Sequence, residues 1–216
     1  MTQETAMFQP EIFHETRVPV LHGLMAAHPF ATLVTAAGAL AADHLPFVLH
    51  PEAGTFGTLR GHIAANNPLS RAEGPIEALA IFQGPQAYVT PSWYASKAEH
   101  GKVVPTWNYV VVHARGVISL VREPGWLLAH LKALTDAHEG GRPAPWAVSD
   151  APDAFVARQL RGIVGIEIEI TSLDGTWKVS QNKAPSDRAG VVEGFAGAGG
   201  AEMAGLVADY SAARGT

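Results

Sequence analysis

The feature that most constrains the fold is a series of short β-type runs whose connections are too short to hold a helix. Apolar and β-branched residues cluster between Gly, Pro and Ala-rich turns, and this pattern is typical of strands. Parallel neighbours need a crossover of a dozen or more residues, so the spacing predicts antiparallel hairpins. Five strands are predicted in the first half of the chain: 30–35, 44–50, 55–63, 78–82 and 86–90, with a Gly84-Pro85 turn before the last.

The second half of the chain adds one long strand and one hairpin. Residues 103–121 are apolar at both odd and even positions, which predicts a strand covered on each side. Residues 166–170 alternate Ile with Glu, which predicts a half-solvated strand. Asp174-Gly175 is a hairpin turn signal, with 177–180 as the returning strand.

Helical patterns occupy the remaining segments. Apolar spacing and capping residues predict helices over 17–28, 123–140 and 152–161, and the Ala/Gly-rich stretch after Ala184 predicts one or two weak helices. Together these elements predict a mainly β chain with helical additions (α+β), an antiparallel barrel in a single domain over 1–216. The tail from about 194 fits this pattern poorly.

Composition excludes several classes of function. Twenty acidic against fifteen basic side chains give a net charge of −5, so the balance does not recruit nucleic acid non-specifically. The absence of cysteine excludes disulfides, thiolate nucleophiles and cysteine-ligated metals. None of the ten histidines has helical ligand spacing, so no metal site is predicted. A signal-like N-terminus and long apolar runs are both missing, which favours a cytoplasmic protein without membrane contact.

The segment GTLRGHIAANNP (57–68) is a candidate anion site. A strand ends near His62, and a helix is predicted to begin at Asn66 or Asn67 with Pro68 in its first turn. Free backbone N–H groups at a helix start attract anions, and a phosphate would also want Arg60 nearby. The alternative is that one of the two asparagines is simply an N-cap.

A second candidate is the aromatic and polar segment from 91 to 108. Aromatic faces with amide and ammonium donors could stack a planar heteroaromatic ring and bond its edges. Equally, the aromatic side chains could anchor a long loop to the barrel. The residues concerned are Trp93, Tyr94, Lys97, Lys102, Thr106, Trp107 and Asn108.

Three longer motifs carry a resemblance to a known family. FQGPQAYVTPSWY (82–94), GKVVPTWNYVVVH (101–113) and WKVSQNKAPSDRAGV (177–191) resemble the PaiB-type FMN-binding negative transcriptional regulators. FATLVT, HLPF and GHIAANNP lie where that family has similar early strands and a turn. The resemblance runs from Met7 to about Val191; Lys183 stands where the family often has arginine, and the tail after Gly194 has no match.

The resemblance implies an FMN-binding split β-barrel, related to pyridoxamine-phosphate-oxidase-like proteins, that works as a homodimer with its sites at the subunit interface. It also implies a repressor, with DNA or a regulatory protein as partner. In the related barrels a C-terminal basic segment approaches the flavin from the partner subunit, which makes Lys183 a candidate. The predicted FMN-binding residues are Arg60, His62, Asn66, Asn67, Trp107, Asn108, Gln181, Asn182 and Lys183.

Three functions remain open on the sequence. The first is a flavin-binding regulator, and the second is an FMN-dependent oxidoreductase or flavin reductase acting on a small substrate. Both would use the same site, and because a flavin carries its own redox chemistry, no acid–base residue need be visible. The third and weaker alternative is a haem-handling split barrel with a histidine as axial ligand.

Overall fold

A computed structural model of the chain describes residues 7–36 and 38–213. Within these residues one sheet holds all eight strands, in the order β3-β2-β6-β7-β8-β5-β4, with β1 paired to β8. The strands are β1 (His14–Glu15), β2 (Phe30–Thr35), β3 (Ala41–Pro46), β4 (Val48–His50), β5 (Thr58–Ala64), β6 (Ile76–Val89), β7 (Thr106–Val121) and β8 (Ile163–Lys178). The helices are α1 (Val18–Ala27), α2 (Ser96–His100), α3 (Pro124–Glu139), α4 (Asp153–Leu160), α5 (Pro185–Gly197) and α6 (Ala201–Ala213).

The chain divides into two compact units. The N-terminal unit, so called here because it holds the first described residues, continues over Gln83–Val112 and from Asp174 onward. The central unit comprises Val18–Phe82 and His113–Leu173. Each of the strands β6, β7 and β8 begins in one unit and ends in the other. The expectation of a single domain over 1–216 stays a prediction.

The central unit is built from antiparallel pairs whose side chains alternate between core and surface. β2 pairs with β3 and with β6, and β5 pairs with β4 and with β8. Along β8, Ile166, Ile168 and Ile170 are buried, while Glu167 is half-buried and Glu169 is exposed. This confirms the half-solvated strand that the alternation predicted, because one face packs inward and the other meets water.

Long pairing overrides two predicted turns. The Gly84-Pro85 turn is wrong, because β6 continues through it; the proline lies beyond Ala78–Ile81, where β6 pairs with β2. Proline lacks a backbone N–H but accepts an extended backbone, so it is tolerated where that donor is not needed. The Asp174-Gly175 hairpin is also wrong, since β8 runs on and Gly175 pairs with Glu15 of β1.

The predicted helices are confirmed with small shifts of their ends. The segment 17–28 forms α1, and 123–140 forms α3, whose first turn is capped by the Glu123 carboxylate. That carboxylate accepts hydrogen bonds from Gly125 N at 2.7 Å and Trp126 N at 2.5 Å, two donors that the helix itself leaves unpaired. Every helix in the described part of the chain is too short or too polar to span a bilayer.

Two helices follow Ala184 in the N-terminal unit, as the Ala/Gly-rich stretch predicted. Trp93 packs against α5, with its ring 4.9 Å from Phe195 in an edge-on contact. A Cβ at Gly190 would lie 2.0 Å from the Trp93 carbonyl oxygen, and one at Gly194 would lie 2.2 Å from its indole ring. Only glycine therefore leaves room for this indole on the surface of α5.

A buried carboxylate ties α6 to β1 within the N-terminal unit. Glu15 is 4% exposed and accepts hydrogen bonds from Arg17 N and Nε, both at 2.9 Å, and from the hydroxyl of Tyr210. Burial alone would raise the pKa of Glu15, but the bonds from Arg17 and Tyr210 outweigh it and lower the pKa from 4.5 to about 2. The charged form of Glu15 thus stabilises this end of the fold.

Candidate functional site

A cavity of about 410 Å³ lies between β3 and β5 in the central unit, within the range of small-molecule sites. Its polar lining comes from Asp43, His44, His62 and Asn67, and its apolar lining includes Ile63 and Ile163. We call it the β3–β5 cavity. A second cavity, of about 470 Å³, shares Asp43 and Asn67 with it and is also lined by Arg71.

Alternation along β5 places His62 on the face of the strand that α3 covers. Arg60 and His62 are two residues apart and therefore lie on the same face of β5. Their partners on β8 are Glu167 and Gly165 respectively. A Cβ at Gly165 would lie 2.3 Å from the ring of Trp126, so this glycine makes room for α3 to lie close over the strand.

Helix α3 supplies a second histidine beside the first. Trp126 and His130 are one turn apart, and their rings stack at 5.4 Å with an interplanar angle of 24°. The Nδ1 atom of His62 lies 3.1 Å from Nε2 of His130, a hydrogen bond whose direction depends on the tautomers. His130 is 4% exposed, and its Nδ1 atom has no hydrogen-bond partner among the residues that the structure describes.

Both imidazoles are held neutral at physiological pH. Burial lowers the pKa of His62, and burial together with the neighbouring His62, His50 and Arg60 lowers the pKa of His130 to about 4. Neutral imidazole offers one donor and one acceptor nitrogen. The pair can therefore pass a hydrogen bond from α3 toward the β3–β5 cavity without carrying charge.

Arg60, the predicted phosphate cation, is not among the residues that line either of these two cavities. Its Nε donates to Glu167 Oε2 at 2.7 Å, and its guanidinium lies 5.5 Å from the Trp126 ring centroid. A charge paired in this way has less attraction left for an anion. Arg71, which the sequence analysis did not single out, lines the second cavity. Its only signal was that it lies three residues beyond the end of the segment 57–68.

The predicted helix start at Asn66 or Asn67 is a four-residue 3-10 helix, Pro68–Arg71. Asn67 caps it, because its Oδ1 accepts from Leu69 N at 2.9 Å, and its Nδ2 donates to Asp43 Oδ1 at 2.8 Å. The N-cap interpretation is thus confirmed, and so short a helix has little dipole to offer an anion. Asn66 is exposed beside it, and Asn67 is half-buried and lines both cavities.

The remaining predicted residues lie in the N-terminal unit, and the side-chain amides of two of them form hydrogen bonds within the protein. Asn108 is fully buried and exchanges hydrogen bonds of 2.9 and 3.1 Å with the Ser180 hydroxyl. Gln181 accepts from Val179 N at 2.8 Å and donates to the Trp177 carbonyl. These bonds stabilise a tight turn in which Ser180 adopts a left-handed backbone, with φ of 63°.

The other three predicted residues of this unit are exposed or half-buried. Asn182 is exposed in the turn, and Trp107 is 52% exposed, with its ring 6.1 Å from the exposed Tyr88. The Lys183 ammonium lies 4.9 Å from the ring centroid of Tyr94. Tyr94 is itself buried, and its hydroxyl has no hydrogen-bond partner within the described residues. The predicted residues therefore form two groups, one in each unit.

Sequence reasoning also missed Asp43, His44 and His130. The first two adjoin or belong to the HLPF motif, so their place in a motif was the available signal. His130 carried none, because a histidine among the apolar positions of an amphipathic helix does not reveal what faces it. Its contact with His62 depends on tertiary packing.

Comparison with known proteins gives one family for most of the chain. Residues 7–172 match the model of the family described as "Putative FMN-binding domain". An uncharacterized protein of Aspergillus fumigatus is 36% identical, over 88% of this chain and 90% of that protein. The protease synthase and sporulation protein PAI 2 of Bacillus subtilis is 31% identical, over 87% of this chain and 88% of that protein.

Solved structures share the fold at much lower identity. The flavocytochrome Anf3 of Azotobacter vinelandii has a TM-score of 0.58 at 13% identity, over 87% of this chain and 80% of that one. A conserved hypothetical protein of Mycobacterium tuberculosis has a TM-score of 0.53 at 12% identity, over 82% and 94%. The predicted fold class, a split barrel with helical additions, is confirmed.

Proposed function

We propose that this chain, which belongs to the FMN-binding family whose model it matches, acts as a flavin-dependent negative regulator of gene expression. FMN is its cofactor. The observation that carries the proposal is the match to PAI 2 of Bacillus subtilis, which extends over most of both chains. The name of that protein associates it with protease synthase and sporulation. The similarity along nearly the whole length of both chains supports a role in the same kind of cellular process.

The lining of the two cavities suits a phosphate-bearing ligand. Arg71 supplies a planar cation that can bind phosphate through two N–H groups, and His62 lies on the adjoining wall. The carboxylate of Asp43 would repel an anion, but it accepts a hydrogen bond from the Asn67 amide. We infer that Arg71, His62 and Asn67 hold the phosphate, with Asn66 at the rim.

The apolar part of the β3–β5 cavity offers a surface for the body of the cofactor. Leu45, Ile63 and Ile163 line it and would exclude water from a bound ring system. When bound, FMN supplies the redox chemistry, and the chain's own residues supply orientation and hydrogen bonds. The cavity volumes, about 410 and 470 Å³, lie in the lower half of the range of about 300–1,000 Å³ that is usual for small-molecule sites.

The second predicted group leads us to propose a homodimer. Tyr88 and Trp107 form an exposed edge-on pair, and Val104, three residues before Trp107 in the sequence, is 67% exposed. Exposed aromatic residues of this kind are enriched in the cores of protein interfaces. A second copy packed on this surface would also account for the prediction that β7 is covered on both of its apolar faces. Light scattering should give twice the chain mass of 22.8 kDa.

One observation favours an alternative, an FMN-dependent oxidoreductase acting on a small substrate. The net charge of −5 provides no general attraction to DNA, so a repressor would need a local basic surface or a protein partner. An oxidoreductase has no such requirement. Bleaching of the flavin absorbance by NADH or NADPH, followed by reoxidation with turnover, would favour this alternative.

The regulatory proposal is tested by comparing transcripts in cells of the source organism. We expect deletion of the gene to raise a set of transcripts and a variant that folds but fails to bind FMN to raise the same set. A suitable variant combines Arg71→Ala with His62→Ala. Arg142→Ala, an exposed arginine that lines neither cavity, serves as a control. Unchanged transcripts in the deletion strain would contradict the proposal.

A further inference from the structure

Two neutral histidines meet beside the β3–β5 cavity, and only one hydrogen can lie between them. Nδ1 of His62 and Nε2 of His130 are 3.1 Å apart, so one nitrogen donates and the other accepts. Because His62 lines the cavity and its Nδ1 atom is taken, its Nε2 atom is the nitrogen left for a ligand. The direction of the bond decides whether Nε2 is a donor or an acceptor.

Burial of His130 selects the direction. If His62 donated, neutral His130 would carry its own hydrogen on Nδ1, a buried atom without a partner in the described residues. Buried N–H groups without an acceptor are rare in folded proteins, whereas a bare lone pair is tolerated more often. If His130 donates from Nε2 instead, its Nδ1 is only an unused lone pair.

We propose that His130 is a positioning residue that donates to His62 Nδ1 and thereby fixes a hydrogen on His62 Nε2, which donates to an anionic oxygen of the ligand in the β3–β5 cavity. The inference rests on the proposed FMN site and names how one of its residues is prepared. Anionic oxygen is the acceptor because the phosphate is the charged end of FMN. Trp126, stacked on His130, holds that ring in the orientation the hydrogen bond requires.

The charged groups around the pair are consistent with this arrangement. Arg60 of β5 is paired with Glu167 of β8, and His50 of β4 lies close enough to lower the pKa of His130. Asp43 of β3 lines the same cavity and accepts from Asn67. Burial, with Arg60 and His50 nearby, disfavours an additional proton on the pair. The pair is therefore uncharged before the ligand binds, and what remains to be set is the tautomer.

Two substitutions separate the hydrogen bond from the ring. His130→Phe keeps an aromatic ring against Trp126 but removes the donor, and His130→Gln removes the ring but keeps an amide N–H that can reach His62 Nδ1. His138→Gln is the matched control, since this histidine is exposed on the same helix. The measurements are the ring ¹⁵N resonances of His62 in the ligand-free protein and the FMN affinity from quenching of flavin fluorescence.

We expect His62 to carry its hydrogen on Nε2 in the wild type and in His130→Gln, and to populate both tautomers in His130→Phe. FMN affinity should fall about tenfold in His130→Phe and stay within about twofold in His130→Gln and His138→Gln. A hydrogen on His62 Nδ1 in the wild type would overturn the inference, and so would equal losses in the Phe and Gln variants. If the wild type binds no FMN, the proposed site fails, while the ring resonances still test the tautomer.

Discussion

The two groups of predicted residues use their hydrogen-bonding capacity in opposite ways. In the N-terminal unit, Asn108 and Gln181 direct their amides at the protein and stabilise the turn at Ser180. In the central unit, His62 lines a cavity with one ring nitrogen still unused by the residues described. Polar residues in similar motifs thus divide into those that hold the fold and those that remain available to a ligand.

This difference shows what a motif can and cannot specify. A buried polar group must be satisfied, and it is usually satisfied by the chain itself. A motif of asparagine, glutamine and lysine therefore contains structural and binding residues together. Substitutions should separate them, because the first kind changes the free energy of unfolding and the second kind changes ligand affinity.

The largest effect is expected for Asn108→Ala. The substitution leaves a cavity and the buried Ser180 hydroxyl without its partner, which should lower the free energy of unfolding by about 3 kcal/mol. Urea denaturation at pH 7 measures it. Asn182→Ala, in the exposed turn beside it, is the control and should change stability by less than about 0.5 kcal/mol. Equal losses of stability in Asn108→Ala and Asn182→Ala would show that the buried amide is no more structural than the exposed one.

His62→Ala should have the opposite profile. It removes a donor at the β3–β5 cavity, so we expect FMN affinity to fall by about tenfold, or about 1.4 kcal/mol. The melting temperature of the ligand-free protein should also fall, because the buried His130 Nε2 loses its acceptor, but by less than in Asn108→Ala, which also opens a cavity. Titration calorimetry with FMN gives the affinity, with His28→Ala as a histidine control outside the cavity lining. An unchanged FMN affinity in His62→Ala would show that His62 has a structural role and does not bind the ligand.

Glu15 provides a pH-dependent test of the N-terminal unit. Its pKa is about 2 in the folded protein and 4.5 ordinarily, so its stabilising effect is complete above about pH 4.5 and is lost as the pH falls toward 2. Because Arg17 is largely exposed, solvent screening limits the loss to about 1 kcal/mol. Urea denaturation at pH 7 and pH 3 should show this loss in the wild type and in Glu193→Gln, but not in Glu15→Gln.

The smallest effect is expected for Lys183→Ala. Its ammonium lies over Tyr94, so removing it should cost about 0.5 kcal/mol of stability. If the second group reaches the flavin in the dimer, the visible spectrum of bound FMN should also shift slightly. Lys183→Arg should keep the cation and the spectrum. Identical spectra and affinities for wild type and Lys183→Ala would leave this turn with a structural role alone.

Much of the fold could be predicted because its signals are local. The strand 30–35 and the helices α1 and α3 lie almost where hydrophobic periodicity and capping residues place them. The turns at Gly84-Pro85 and Asp174-Gly175 could not be excluded locally, because the strands that carry the chain through them come from distant parts of the sequence. Local sequence therefore shows which secondary structures a segment can adopt, and pairing with distant strands determines which one it adopts.

The candidate site could be predicted only in part, for the same reason. GHIAANNP led to His62 and Asn67, which do line the β3–β5 cavity, because the motif is contiguous. The pairing of Arg60 with Glu167 could not be predicted, because strand alternation alone does not show that Glu167 lies opposite Arg60. His130 could not be found at all, since it meets His62 only through the packing of α3 on β5.

The contact between Trp93 and α5 explains why an Ala/Gly-rich segment with low helix propensity is helical in this protein. Each glycine inside a helix costs about 1 kcal/mol relative to alanine, so a peptide with the sequence of α5 would be mostly unfolded in water. Gly190 and Gly194 nevertheless make room for the carbonyl oxygen and the indole of Trp93, which a better helix former would exclude. The helix therefore owes its order to docking, and its formation reports whether the loop that carries Trp93 has reached its native place.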